Sequence, residues 1–174
     1  MAPNSWAHVL LREKRSVRDP LGLAAWGGFG DLRKHRLPEG DEEVRVWGGF
    51  GITNLQGLIL RKAAGKWTAT RLIGGIPGTS SKSRKTLYPA PKSGWPTFWR
   101  KAEEFGLWTL PDDSTLPQKE RKWVLDGFSY LVELQRGGTY RTYAYDNPEL
   151  QKWPEAKQMV AIDRLLGREF PVAR

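Results

Sequence analysis

A chain of 174 residues with 39% apolar residues, nine tryptophans and no cysteine can bury one full core, and it is barred from disulfides, thiolate metal sites and cysteine nucleophiles. Its 28 Lys and Arg against 19 Asp and Glu leave a formal charge of +9, which favours a polyanionic partner (nucleic acid or another anionic polymer, anionic lipid headgroups or an acidic protein) or else marks a solvated basic surface. No segment approaches the ~18 apolar residues of a membrane span, and Met1 to Trp6 shows no basic-then-apolar leader, so a cytoplasmic location is expected as the sequence stands, and export only if a leader precedes it.

Residues 1–20 carry Arg12, Lys14, Arg15 and Arg18 against Glu13 and Asp19. They read as a basic arm or short amphipathic helix ahead of a single domain over 21–174. Glu43 to Ile52, β-branched at Val44 and Val46, predicts a strand, and Gln56 to Ala63 a second. Ala64-Gly65 then turns into a third at Lys66 to Ile73. Gly74 to Gly94, rich in Gly and Pro, reads as loop. A helix follows, with Ser93 as its expected N-cap, Pro96 in the first turn, an apolar stripe of Phe98, Trp99, Ala102 and Phe105, and a stop at Gly106.

Phe128 to Arg136, Gly137-Gly138 and Thr139 to Tyr145 read as a β-hairpin. Counting back from the turn pairs Leu134 with Arg141, Val132 with Tyr143 and Tyr130 with Tyr145. These residues and Phe128 then share the core face, and Glu133 lies on the other, opposite Thr142. Asp146-Asn147-Pro148 stops the strand. A last helix from about Pro154 to Glu169 has Ala156, Met159, Val160, Ile162, Leu165 and Leu166 at helical spacing. The expected fold is α+β, an antiparallel β-sheet of about five or six strands packed by a mid-chain and a C-terminal helix.

The pentapeptide WGGFG occurs at Trp26 to Gly30 and again at Trp47 to Gly51. Functionally, Trp26 and Trp47 would be stacking platforms for a ligand; structurally, two glycine-kinked strands would pack their aromatics into the core, and the structural alternative is favoured. Gly75 to Ser83 imitates a phosphate loop, but Ile76 and Ser81 stand where its glycines belong. His8 and His35 form no ligand pair, and no serine sits in a nucleophile elbow, so no metal, cofactor or catalytic residue is expected. Asp112 and Asp113 read as capping residues. Three basic runs remain as polyanion contacts: Arg12 to Arg18, then Arg33, Lys34 and Arg36, and then Lys82, Arg84 and Lys85.

From Val44 onward the order of features is similar to a known pattern: the strand pair around Gly65-Lys66-Trp67, a helix with Phe98-Trp99 closing at Gly106-Leu107-Trp108, Leu110-Pro111-Asp112, then Asp126-Gly127-Phe128, Val132-Glu133, Gly138-Thr139-Tyr140-Arg141, Tyr145 and Asn147-Pro148. It resembles a family of small, uncharacterised bacterial proteins, many of them exported or lipid-anchored. The resemblance implies an α+β fold and a bacterial or phage origin, offers no activity, and directs attention to Asp126, Glu133 and Arg141. Taken together, the sequence points to a non-catalytic binding or accessory module for a protein or cell-envelope component. A nucleic-acid-binding protein using the basic runs and the WGGFG aromatics is the alternative, and an enzyme of unknown class comes third.

Overall fold

In the first strand Val44 and Val46 alternate with Arg45 and Trp47, and all four are buried. A strand shielded on both faces needs a layer on each side of its sheet. The computed structural model, which describes residues 20–50, 55–74, 84–116, 122, 124 and 127–172, supplies both layers. Six strands, β1 (Glu42–Gly49), β2 (Gln56–Ala63), β3 (Lys66–Ile73), β4 (Arg84–Tyr88), β5 (Ser129–Arg136) and β6 (Thr139–Asp146), form one sheet in the order β4-β3-β2-β1-β5-β6. Every neighbouring pair is antiparallel. The described helices are α1 (Pro20–Gly27), α2 (Trp95–Glu104) and α3 (Pro154–Glu169).

Helices α2 and α3 cover one face. Val44, Val46, Leu58, Leu60, Val132, Leu134 and Tyr143 meet Phe98 and Ala102 of α2 and Met159, Ile162, Leu165 and Leu166 of α3. Burial of side chains this size stabilises by ~1.5–3 kcal/mol each relative to exposure. Along the margin of this layer Trp67, Trp95, Trp99 and Trp108 stack in succession, ending in the Arg136 guanidinium 3.7 Å from the Trp108 ring centre. The opposite face is covered by α1, where Leu23, Trp47, Leu55, Ile59, Leu72 and Leu131 form a second, smaller cluster.

Local chemistry explains the turns. Ala64 and Gly65 both take positive φ (49° and 78°), as do Gly137 and Gly138 (57° and 77°), the geometry that two-residue hairpins require. The Gly137-Gly138 turn fixes the register as expected: Leu134 opposite Arg141, Val132 opposite Tyr143, Tyr130 opposite Tyr145. On the outer strand β6 the amides of Ala144 and Asp146 donate to the Asp112 and Asp113 carboxylates, each at 2.8 Å. Asp112 also caps a short 3-10 turn by accepting from the Ser114 amide.

Three expectations change. The stretch 74–94 contains β4, whose residues Ala69↔Tyr88 to Ile73↔Arg84 pair with β3. The first WGGFG copy ends helix α1 rather than kinking a strand; the second ends β1 at Gly49, ahead of Phe50 with φ 67°. Ser93 is not the N-cap of α2. Gly94 holds that position without a side-chain bond, while the Ser93 amide donates to Glu169 Oε2 at 2.8 Å. The arm at 1–19 lies outside the described residues.

Candidate functional site

Strand parity places Arg71 with Trp67 and Ala69, on the face covered by α2 and α3. It is 7% exposed. Its Nη2 donates to the Leu166 carbonyl of α3 at 3.2 Å, whereas its Nε has no hydrogen-bond partner among the described residues. A buried guanidinium needs its donors satisfied, because losing water without a replacement costs ~1–3 kcal/mol per group, and more when it is charged.

Beside Arg71 opens a cavity of about 480 Å³, within the range of small-ligand pockets. Gly48 of β1 lines it with bare backbone. The Phe128 ring lies across the gap, 2.9 Å from where a Gly48 Cβ would stand. Tyr130 of β5, Glu149 of the 3-10 turn Pro148–Leu150, and Asp163 and Arg164 of α3 complete the polar wall. The Tyr130 hydroxyl donates to Glu149 Oε1 at 3.0 Å and also lies against the Asp163 carboxylate.

Burial pushes the Asp163 carboxyl above its ordinary value; the Tyr130 hydrogen bond opposes this and the nearby Glu149 charge reinforces it. Burial likewise raises the Tyr130 phenol, with Asp163 and Glu149 adding to the shift, and lowers Arg71. The wall therefore offers one cluster of acceptors beside one cluster of donors. No group of three or more potential metal ligands occurs among the described residues.

The residues singled out from sequence fall elsewhere. Glu133 is 1% exposed on the opposite face, accepting from Trp47 Nε1 at 2.8 Å and from the Tyr140 hydroxyl at 3.2 Å. Arg45 of the neighbouring strand stands directly across from Glu133 in register. Arg45 makes its own close contact with Glu43, Nε to Oε1 at 2.7 Å. Burial raises the Glu133 carboxyl despite the Trp47 hydrogen bond and the Arg45 charge.

Trp26, on α1, and Trp47, on β1, meet edge to face at 6.3 Å, and Trp47 is fully buried, so the aromatics pack together as the structural alternative expected, one of them from a helix instead of a strand. Arg141 lies by the Tyr143 ring, 5.3 Å from its centre, and donates to the Trp108 and Leu110 carbonyls, tying down the segment after α2. Asp126 and Lys82 lie outside the described residues. Arg33 pairs with Asp31 at 2.9 Å, while Lys34 and Arg36 are exposed. Lys85 lies over Phe29, 5.2 Å from the ring centre, on the α1 face, and strand alternation turns Arg84 to the other face. The basic residues are thus divided between two faces.

Sequence reasoning missed Arg71, Asp163 and Glu149 and counted Tyr130 as core. The available signal was parity: Arg71 follows Trp67 and Ala69 at period two, and Asp163 shares the helical stripe of Met159, Ile162 and Leu166. No helix among the described residues is long and apolar enough to cross a membrane. No protein-family model matches this sequence, and no curated protein matches it at a significant level.

Proposed function

We propose that the protein is a non-catalytic binding module and that the cavity between the sheet and α3 is its ligand site. Arg71 carries this reading: a nearly buried guanidinium stands in the wall with a donor unused, an arrangement that lowers stability unless a ligand completes it. Small ligands bind in concave sites with a few converging polar groups on an apolar wall, and Phe128 and Tyr130 supply that wall here. The basic residues support a nucleic-acid partner less well, since Arg84 and Lys85 turn to opposite faces. A protein or envelope component that presents a small polar group fits the same site.

The test is amide chemical-shift mapping against a library of small polar fragments, run on the parent and on Arg71→Met. Binders should shift amides on β3, β5 and α3 in the parent and lose that effect in the variant, while the variant stays at least as stable because it buries no unpaired charge. Absence of any fragment at the cavity sinks the proposal. Turnover of a bound compound that Asp163→Asn abolishes replaces it with an enzyme.

A further inference from the structure

Resting on the reading of the cavity as a ligand site, we infer that its ligand is a free α-amino acid, bound with its carboxylate on Arg71 and its ammonium group on the cluster of Asp163, Glu149 and Tyr130. Three features of the wall lead there. The first is the unused Nε of Arg71, on the only described strand residue that brings a guanidinium into this cavity. Arginine presents its donors as a planar fork that matches a carboxylate. With Nη2 committed to the Leu166 carbonyl, the Nε side of the fork is the part left for a ligand.

The second feature is the acceptor cluster. An ammonium group has three donors and no acceptor. It is matched by two carboxylates and a phenol oxygen gathered at one place, as they are around the Tyr130 hydroxyl. Among the described residues no ion pair joins either carboxylate to Arg71 or to Arg164, although both arginines lie near enough to Asp163 to favour its charged form. The positive and the negative sites stand on facing elements, β3 and α3. An α-amino acid likewise carries its two opposite charges on two groups attached to one carbon.

The third feature is room for a side chain. The cavity of about 480 Å³ exceeds what the charged head needs, and the remaining wall is the Phe128 ring, itself packed on Tyr130 at 4.9 Å. A monovalent anion would leave the acceptor cluster unmatched, and a simple amine would leave Arg71 unmatched. Only a ligand carrying both charges completes the site. The cavity opens beside Arg164, an exposed residue of α3, which adds positive charge at the mouth.

Isothermal titration of the full chain with the common amino acids, each compared with its N-acetyl and its methyl-ester derivative, tests this directly. At least one free amino acid should bind with one site per chain, and both blocked derivatives should bind at least about tenfold more weakly, ~1.4 kcal/mol. In Arg71→Met the acid and the ester should bind alike; in Asp163→Asn the amine and its acetylated form should bind alike. A blocked derivative that binds as well as the free amino acid overturns the inference, as does failure of every amino acid to bind. If neutral or singly charged fragments still occupy the cavity in that case, the ligand class is wrong and the binding module stands. If nothing occupies it, both fall.

Discussion

Replacing Arg45 by Met removes a buried cation from the α1-covered face while keeping side-chain length. In the parent its Nε donates to Glu43 at 2.7 Å, its Nη1 donates to the Gly30 carbonyl at 2.8 Å, and its guanidinium lies 5.5 Å from the Phe29 ring centre. Afterwards Glu43 keeps the exposed Arg61, 3.7 Å away, and Glu133 keeps its Trp47 and Tyr140 bonds with only the weaker influence of Arg33 in place of the Arg45 charge. Removing one partner of a buried ion pair costs ~3–5 kcal/mol, out of a total stability of ~5–15 kcal/mol. At ~2–4 °C per kcal/mol for a chain of this size, the melting temperature should fall by roughly 6–20 °C.

The loss should also depend on pH in a definite sense. Burial holds the Glu133 carboxyl above its ordinary value and Arg45 pulls it down, so deleting Arg45 lifts it further. A carboxyl raised by folding contributes most below its unfolded value, and that contribution is lost as pH rises through the folded value. The deficit of Arg45→Met relative to the parent should therefore be smaller near about pH 5 than near about pH 8. Urea denaturation followed by tryptophan fluorescence at the two pH values measures it, and adding Glu133→Gln should flatten the difference. A loss below ~1 kcal/mol, the level of an exposed pair, or one equal at both pH values, would refute the assignment of Arg45 as the cation that holds this face together.

Two other substitutions probe packing. Gly57→Ala should cost ~1–3 kcal/mol by overpacking, because a Cβ there would stand 2.7 Å from the Trp47 ring; equal urea midpoints for variant and parent would mean that the ring has room to move. Arg141→Met should cost about 1.5–3 kcal/mol for its charged hydrogen bonds to the Trp108 and Leu110 carbonyls. Faster amide exchange across 107–110, with β1 to β3 unchanged, is the expected pattern, and unchanged exchange in that segment contradicts it.

What could be read from sequence followed from local geometry. The Gly-Gly turn fixes its own register, and a proline start with a regular apolar stripe fixes α3. Strand β4 escaped because it is short, lies at a sheet edge and exposes Leu87, so no alternation marks it. Helix α1 escaped because Leu21 to Trp26 is apolar nearly all round over only eight residues and shows no 3.6-residue period. The cavity was harder still. Its polar groups come from β3, β5, the 3-10 turn and α3, segments that only the strand order brings together. An arginine inside a strand normally reads as solvent-facing, and Tyr130 reads as core.

The carboxylates of Asp112 and Asp113 have a consequence for how copies of this protein can associate. Growth of a sheet into a fibre needs two receptive borders on every unit, one to accept and one to offer. Here the C-terminal half of the β6 border already has its amides committed to acids of the same chain, so an incoming strand would meet two negative charges instead of free donors. Along that half of β6 an added strand could not form its ladder, which shortens the stretch a second copy could extend. Asp112→Ala with Asp113→Ala would lay those two amides bare and lengthen the border open to an added strand.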